Sequence, residues 1–174
     1  KLKCVVGLTA EAKRLIDVAV LSGCNYAKFQ KRSPDICVPE HQKSKLRETP
    51  WGTLKYIDYK KKIEFEQDQY DELYDYIKGK PIEIFASVWD KTSVDFMSQY
   101  SGPMKIGSAL INDLGLCKYA RDNTDLLIIS TGMSTEEEIE ACINACNPDV
   151  IMHTNSTYPS PVEELNLEYI NWLK

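Results

Sequence analysis

Two strand-like segments each carry a lysine among apolar neighbours: NYAKFQ contains Lys28 and Gln30, and MKIGS contains Lys105. Because side chains alternate between the two faces of a strand, Lys28 and Gln30 project to the same face. Burying a lysine is costly unless it meets a ligand or a charge partner. Ammonium groups that converge from two strands also repel each other, and an anion between them relieves that cost. The pattern predicts a site for a phosphate or carboxylate ligand; a structural ion pair at Lys28 is the alternative.

Hydroxyl residues cluster where three predicted strands end, in IGSAL, IISTGMST and HTNSTYPSP. Taken singly, such a serine or threonine usually caps the following helix. Together with two lysines, Ser108 and Ser130 have the chemistry of a phosphate cradle at helix N-termini. Neither His41 nor His153 has a visible partner for a metal ion, so a hydrogen-bonded core position is the favoured interpretation of His153.

The rest of the sequence supplies the elements that position these residues. A helix is predicted from Thr9, because apolar residues recur at helical spacing and Gly23 follows its end. Ser134 with Glu137 forms a predicted capping box for a later helix. Prolines and glycines between residues 31 and 62 predict a long irregular loop. Strands are predicted at NYAKFQ, IEIFASV, MKIGS, DLLIIS and DVIMHTN, and a helical segment follows each of the last four.

The regular alternation of strand and helix predicts an α/β fold with a parallel sheet and right-handed crossovers. Polar residues stand at the ends of several strands, which favours a (β/α)8 TIM barrel, because that fold collects its chemistry there. An open doubly wound sheet would concentrate its ligand at one switch point. No GxGxxG or GxxxxGK[ST] motif follows any strand, which disfavours nucleotide binding.

The composition, with 43% hydrophobic and 27% charged residues in 174, fits a globular domain with a sizeable core. The net charge of −5 disfavours a general nucleic-acid surface. No run approaches the roughly 20 apolar residues that span a bilayer, and no signal-peptide pattern is visible, so a cytoplasmic protein is expected. The six cysteines form no CxxC pair and are expected to be free buried thiols.

Six strings in order make the chain recognisable: AKRLID with AKFQKRSPD, ETPWGTLKYIDYKKKIEF, FASVWD, KIGSAL, IISTGMST and HTNSTYPSPVEELNL. Over nearly its whole length the chain resembles the sialic acid synthase family, which includes N-acetylneuraminate synthase. The resemblance implies a TIM barrel that condenses phosphoenolpyruvate with an N-acetylated amino sugar, typically N-acetylmannosamine, and releases phosphate. It also implies a homodimer and a divalent metal helper, manganese or magnesium.

The resemblance assigns roles to individual residues. Lys28 and Lys105 match family lysines that contact phosphoenolpyruvate, and they are the expected catalytic residues. Two serines match hydroxyl donors to the same ligand, namely Ser108 and Ser130. Fixed cations of this kind hold a small anion in line for reaction without reorganising.

Further positions match the sugar acceptor site. Gln30 and Tyr158 correspond to residues that touch the acceptor. Ser156 stands where some members have an asparagine that contacts phosphoenolpyruvate, and the neighbouring Asn155 is a possible substitute for it.

The chain departs from the family pattern at several places. Cys4 and Val5 occupy the positions of an Asn-His pair that ends the first strand, and Val88 and Leu110 replace a threonine and a glutamate that some members carry. Residues 1–174 are therefore expected to form an incomplete barrel of strands two to six, with the first strand altered or absent and the last two missing. The metal-binding histidines and the C-terminal antifreeze-like domain are expected to lie outside this sequence.

An open barrel exposes strand edges, so the isolated segment is expected to be aggregation-prone and inactive. Its partly wet lumen is expected to include Ile84, Ile106 and Ile128. Two alternatives stay open: a class I aldolase that forms a Schiff base on Lys105, and a non-catalytic barrel that binds an anion.

Overall fold

The computed structural model describes residues 8–174, so Cys4 and Val5 lie outside the described residues. The chain divides into two compact units, unit 1 up to Ile84 and unit 2 from Phe85. Unit 1 contains α1 (Leu8–Leu21), β1 (Tyr26–Lys31), α2 (Pro34–Cys37), α3 (Glu40–Lys43), β2 (Leu46–Thr49), β3 (Gly52–Lys55), α4 (Tyr56–Ile63), α5 (Gln67–Ile77) and the first two residues of β4 (Glu83–Val88).

Unit 2 contains the rest of β4, α6 (Lys91–Met97), β5 (Met104–Ile106), α7 (Leu114–Asp122), β6 (Leu127–Ser130), α8 (Glu136–Cys146), β7 (Val150–Met152) and α9 (Tyr169–Trp172). Short 3-10 helices follow β5 at Ser108–Leu110 and β7 at Val162–Glu164. No helix within residues 8–174 is long and apolar enough to cross a membrane.

An apolar core holds unit 1 together. Its buried members come from α1, α5 and the entry to β4: Ala12, Ile16, Leu73, Ile82 and Ile84. Ala27 and Phe29 of β1 pack against this core. Since neighbouring side chains of a strand point to opposite faces, Lys28 and Gln30 lie on the face of β1 that is turned away from the core. The predicted strand parity of NYAKFQ is confirmed.

The segment after β1 is more regular than the sequence predicted. Strands β2 and β3 form an antiparallel hairpin in which Leu46 pairs with Lys55 and Thr49 with Gly52. The predicted breakers lie at the ends of short elements, and Gly52 has a φ of +96° that favours glycine. The prediction of one long irregular loop was therefore wrong, because prolines and glycines here separate short elements.

A polar cluster joins the surfaces of α1 and α5. Asp17 accepts hydrogen bonds from the Tyr76 hydroxyl at 2.6 Å and from Lys80 Nζ at 2.9 Å. These hydrogen bonds hold the pKa of the Asp17 carboxyl below its ordinary value. The charged carboxylate therefore stabilises the folded state of unit 1.

Four strands define the sheet of unit 2. β4, β5, β6 and β7 pair in parallel and in chain order, and Ser87, Lys105, Ile128 and Val150 stand level across them. Helices α6, α7 and α8 connect consecutive strands. In unit 1, β1 lies beside the start of β4, where the Glu83 N–H donates to the Asn25 carbonyl at 2.9 Å. The predicted α/β fold with a parallel sheet is confirmed, whereas its closure into a barrel stays a prediction.

One face of the unit 2 sheet is apolar and almost fully buried, with each of these side chains at most 3% exposed: Ala86, Val88, Met104, Ile106, Leu127 and Ile129. The opposite face carries Lys105 together with Ile128. The expectation that Ile84 and Ile106 line the same face as Lys105 was wrong. Ile106 directly follows Lys105 and so points to the other side, and Ile84 lies in the core of unit 1.

Side-chain caps fix where the helices of unit 2 begin. Asp90 accepts from the Ser93 N–H at 2.8 Å, and Asp113 caps α7 in the same way. The capping box of α8 is formed by Thr135 with Glu138. The predicted box was one residue too early, because the sequence offers two overlapping S/T-x-x-E matches and local spacing does not choose between them.

The five cysteines in the described part of the chain are free. Cys117, Cys142 and Cys146 are buried between α7 and α8, as expected, with Sγ of Cys142 lying 3.7 Å from Sγ of Cys117. Cys24 is exposed and Cys37 is only half-buried, so the expectation of burial was wrong for these two residues.

Replacing Asp17 by asparagine is expected to lower the thermal midpoint at about pH 7 and to have a smaller effect near pH 2. Because the folded-state pKa is depressed, the contribution of Asp17 is present above the unfolded-state value of about 3.9 and is lost as the pH falls through the folded-state pKa. Thermal unfolding followed by circular dichroism at both pH values measures this. The control is Asp75→Asn, which removes the exposed pair with Lys78 and is expected to change little.

Candidate functional site

A buried serine hydroxyl marks the carboxyl end of β6. Ser130 is 2% exposed, and its Oγ has no hydrogen-bond partner within the described residues. An unsatisfied buried polar atom costs roughly 1–3 kcal/mol, so a fold keeps one where something other than stability requires it. Ser130 is therefore well suited to donate to a ligand.

Hydroxyls from the loops after β5 and β7 converge on Gly132, two residues beyond Ser130. The Gly132 N–H donates to Thr154 Oγ1 at 2.8 Å and to Ser108 Oγ at 3.0 Å, and these two oxygens lie 3.2 Å apart. A Cβ atom at Gly132 would lie 2.6 Å from Ser156 Oγ. Only a glycine lets the three hydroxyls approach the backbone this closely. We call Ser108, Gly132, Thr154 and Ser156 the hydroxyl cluster.

Gly132 and Thr154 were not singled out from the sequence. A glycine after a strand is common, and a threonine in HTNST looks like one hydroxyl among several. What brings them together is the register of β5, β6 and β7, which places the ends of three strands side by side. The sequence signal that was available, hydroxyl residues after three consecutive strands, indicated the region but not the contacts.

The backbone next to the hydroxyl cluster adopts an unfavourable conformation. Met133 has a φ of +62°, in the left-handed region that side chains other than glycine rarely adopt, and it is 70% exposed. Residues on both sides hold it there, since Gly132 is bound by two hydroxyls and Thr135 caps α8. Such local strain concentrates at functional sites.

A polar cleft of about 380 Å³ adjoins the cluster. Its lining includes Thr154 and Asn155 together with the carboxylates of Glu136 and Glu164. Asn155 Nδ2 donates to the Glu164 carbonyl at 2.9 Å, and Asn155 Oδ1 accepts from the Thr157 N–H at 2.7 Å. The carboxylates disfavour an anion in the cleft itself and suit a ligand that is rich in hydroxyl groups.

Lys105 is half-buried on β5, level with the buried Ser87 of β4 and with Ile128 of β6. It lies on the face opposite the apolar layer of the sheet. Ser108 follows three residues later in the chain, at the start of the 3-10 helix. Unit 2 thus places a lysine before the end of one strand and a hydroxyl just beyond that end.

Lys28 and Gln30 belong to unit 1. Although Lys28 is exposed overall, partial burial of its ammonium group lowers the lysine pKa below its ordinary value. Gln30 is half-buried. The predicted acceptor contact Tyr158, in unit 2, is 99% exposed.

His153 is a hydrogen-bonded residue, as predicted. Its Nε2 lies 2.7 Å from the Leu165 carbonyl oxygen, and its ring lies 5.6 Å from the Tyr169 ring. Within residues 8–174, no group of three or more His, Cys, Asp or Glu side chains is arranged to hold a metal ion. The divalent metal that the resemblance implies therefore has no ligand set among these residues.

The parallel sheet, with polar groups at the carboxyl ends of successive strands, defines the class as an α/β protein whose candidate site lies at one edge of the sheet. The chain belongs to the NeuB family, whose model matches residues 15–174. The family resemblance deduced from the sequence is confirmed.

Comparison with individual curated proteins agrees with this family assignment. The chain is 30% identical to an N-acetylneuraminate-9-phosphate synthase of Drosophila melanogaster over 97% of this chain and 47% of that protein. It is 28% identical to an N,N'-diacetyllegionaminic acid synthase of Campylobacter jejuni, over 94% of this chain and 52% of that protein. The chain spans about half the length of these curated relatives.

Solved structures confirm the fold. The N-acetylneuraminic acid synthetase of Leptospira borgpetersenii superposes with a TM-score of 0.81 at 24% identity, over 95% of this chain and 55% of that chain. The spore coat polysaccharide biosynthesis protein spsE of Bacillus subtilis superposes with a TM-score of 0.71 at 29% identity, over 95% of this chain and 45% of that chain.

Ser130→Ala is expected to leave stability unchanged or slightly raised, because it removes an unsatisfied hydroxyl, while weakening the binding of a small phosphate or carboxylate anion. The matched control is Ser93→Ala, since Ser93 is equally buried but its hydroxyl donates to Asp90 at 2.9 Å. That change is expected to cost about 1 kcal/mol. Chemical denaturation and calorimetric binding give the two readouts. If Ser130→Ala lost as much stability as Ser93→Ala, the Ser130 hydroxyl would have a partner in the folded protein and would not be reserved for a ligand.

Gly132→Ala is expected to weaken binding of the same anion with only a modest loss of stability, on the order of 1 kcal/mol. The added Cβ overlaps Ser156 Oγ, which can rotate away, but the hydroxyl cluster is then displaced. Gly115→Ala is the control, because its Cβ makes only an ordinary contact, 3.5 Å from Asp113 Oδ1. Binding titrations on both variants test this, and equal affinities would count against a role for the cluster.

Proposed function

We propose that the complete protein condenses phosphoenolpyruvate with an N-acetylated amino sugar, of the N-acetylmannosamine type, to give a nonulosonic acid and phosphate. Membership in the NeuB family supports this reaction class. The observation that supports this reaction for the present chain is the hydroxyl cluster beside the unsatisfied Ser130. Both lie at the carboxyl ends of β5, β6 and β7.

The anionic substrate needs fixed positive charge and hydrogen-bond donors. In unit 2, Lys105, Ser108 and Ser130 supply these groups, and we assign them to phosphoenolpyruvate. On the resemblance alone, Lys28 is proposed as a second contact to this substrate, and Gln30 as a contact to the sugar. Hydroxyl and ammonium groups held in place before reaction lose little free energy by reorganising, which is how such a site lowers a barrier.

Water adds to C2 of phosphoenolpyruvate as phosphate leaves it, and C3 of phosphoenolpyruvate forms the new bond to the aldehyde carbon of the sugar. These two carbons must be brought together and aligned, so positioning is the main task of the protein. Because the described residues offer no metal ligand set, no step is assigned here to a metal. Ligands for manganese or magnesium are proposed to lie elsewhere in the complete protein.

The acceptor is proposed to meet the polar cleft beside the hydroxyl cluster. Asn155, Glu136 and Glu164 line it and suit sugar hydroxyls, and the exposed Tyr158 is available nearby in sequence. The relatives are named for different nine-carbon acids, including sialic, legionaminic and pseudaminic acids. Of the two departures from the family pattern, Val88 is fully buried on the apolar face of the sheet, so the choice of sugar is proposed to depend on Leu110.

A homodimer is proposed on the resemblance alone, and a cytoplasmic location is proposed from the sequence pattern. The Schiff-base alternative at Lys105 is separated from the synthase by treating the protein with pyruvate and borohydride. Covalent trapping on Lys105 would favour the aldolase. Release of phosphate from phosphoenolpyruvate that depends on an amino sugar would favour the synthase over both the aldolase and a non-catalytic anion-binding protein.

In the complete protein, Lys105→Met is expected to weaken phosphoenolpyruvate binding at least about tenfold, because it removes a charge from a half-buried position. Lys43→Met is the control, since Lys43 is also half-buried but pairs with the exposed Glu40 on α3. The effect of each substitution is obtained by measuring the Michaelis constant for phosphoenolpyruvate of both variants. Equal effects of the two changes would mean that the substrate responds only to diffuse surface charge.

A further inference from the structure

The carboxylate of Glu64 is buried just after α4. Its side chain is only 4% exposed, and burial raises the pKa of this carboxyl, an effect that the hydrogen bonds from Arg32 oppose. A carboxylate in such a place is tolerated only with a well-placed partner. Arg32, one residue beyond β1, supplies that partner through its Nε, and its backbone N–H donates to the other carboxylate oxygen at 3.3 Å.

The carboxylate occupies only one edge of the Arg32 guanidinium. The two terminal nitrogens, Nη1 and Nη2, lie 2.9 Å and 3.2 Å from one terminal atom of the Gln30 side-chain amide. A guanidinium has donors and no acceptor, so the oxygen of the Gln30 amide, and not its nitrogen, must face Arg32. The orientation of this amide is thereby fixed, and its NH2 group points away from Arg32.

Lys31 ties the same segment to β1 from the opposite side of the strand. It is buried and donates to the Phe65 carbonyl, and its Nζ lies 3.8 Å from Glu66 Oε2. Its charge also acts to lower the pKa of Glu64. Residues 64 to 66 are thus held against the end of β1 by two neighbouring cations.

We infer that the ion pair of Arg32 with Glu64 is a positioning device that presents Gln30 to the amino-sugar acceptor as a hydrogen-bond donor. This inference rests on the proposed function, in which Gln30 contacts the sugar. An unrestrained glutamine amide turns over readily and presents its oxygen as often as its nitrogen. Held by Arg32, the NH2 group of Gln30 selects an acceptor atom on the substrate, such as a carbonyl or hydroxyl oxygen.

The test uses the complete protein with the isosteric change Glu64→Gln, which removes the charge that aligns Arg32. The Michaelis constant for the amino sugar is expected to rise about tenfold, the value of one aligned hydrogen bond. The Michaelis constant for phosphoenolpyruvate is expected to stay within about twofold of its value in the unmodified protein. Glu64→Asp, which keeps the charge, is expected to restore part of the loss. Lys13→Met, which removes an exposed pair with Glu72 in the same unit, is the control.

A double-mutant cycle with Gln30→Ala decides whether the pair acts through Gln30. Once Gln30 is removed, Glu64→Gln is expected to have no further effect on the sugar constant. The inference is overturned if Glu64→Gln raises the sugar constant as much in the Gln30→Ala variant as in the unmodified protein. It is also overturned if Glu64→Gln raises both Michaelis constants equally and lowers the thermal midpoint, since the ion pair would then have only a structural role. If Glu64→Gln does not fold, Arg32→Lys, which keeps the charge but loses the paired donors, carries the same cycle.

Failure of the proposed function gives a different result. If the unmodified protein releases no phosphate from phosphoenolpyruvate with any N-acetylated amino sugar, the proposed function is wrong, and the role of Gln30 falls with it. If the unmodified protein turns over and the cycle is additive, only the positioning inference is wrong.

Discussion

Parallel pairing of β4, β5, β6 and β7 is the constraint on which the chemistry of unit 2 depends. In a parallel sheet the carboxyl ends of all strands lie at one edge, so residues far apart in the sequence meet there. Ser108 and Thr154 are separated by 46 positions, and both accept from the single N–H of Gly132. A shift of one residue in register would turn every side chain of a strand to its other face and disperse this cluster.

Strand positions were predictable where local alternation decides them. Ala27 and Phe29 meet the core of unit 1, and Lys28 and Gln30 do not, as the period of two requires. By the same rule Ile106 lies on the face opposite the adjacent Lys105, so the prediction that Ile106 lines the lumen was wrong. The capping box shifted from Ser134 to Thr135 because both match the pattern, and the choice depends on how the preceding residues leave β6. Ser134 Oγ instead donates to the Gly132 carbonyl at 3.3 Å, inside the turn.

Contacts between segments that lie far apart in the chain could not be predicted from the sequence. No local pattern predicts that the carboxylate of Glu64 is buried, because the segment EFEQDQY is acidic and is typical of a solvated surface. Its partner lies 32 positions earlier in the chain, and the pairing follows from α4 ending beside β1. Gly132 is a comparable case, because the need for glycine arises from the Ser156 hydroxyl and not from its own backbone angles.

Two kinds of buried polar group are present, and their physics differs. Glu64 is desolvated but paired, so its charge, the guanidinium of Arg32 and the amide of Gln30 form one connected network, and removing Glu64 deprives Arg32 of its buried carboxylate partner. Ser130 is desolvated and has no partner in the described chain, so the folded state gains nothing from its hydroxyl. A group of the first kind is explained by folding and by what it orients. A group of the second kind is available to donate to a ligand, and this is the basis on which Ser130 is proposed to contact the anionic substrate.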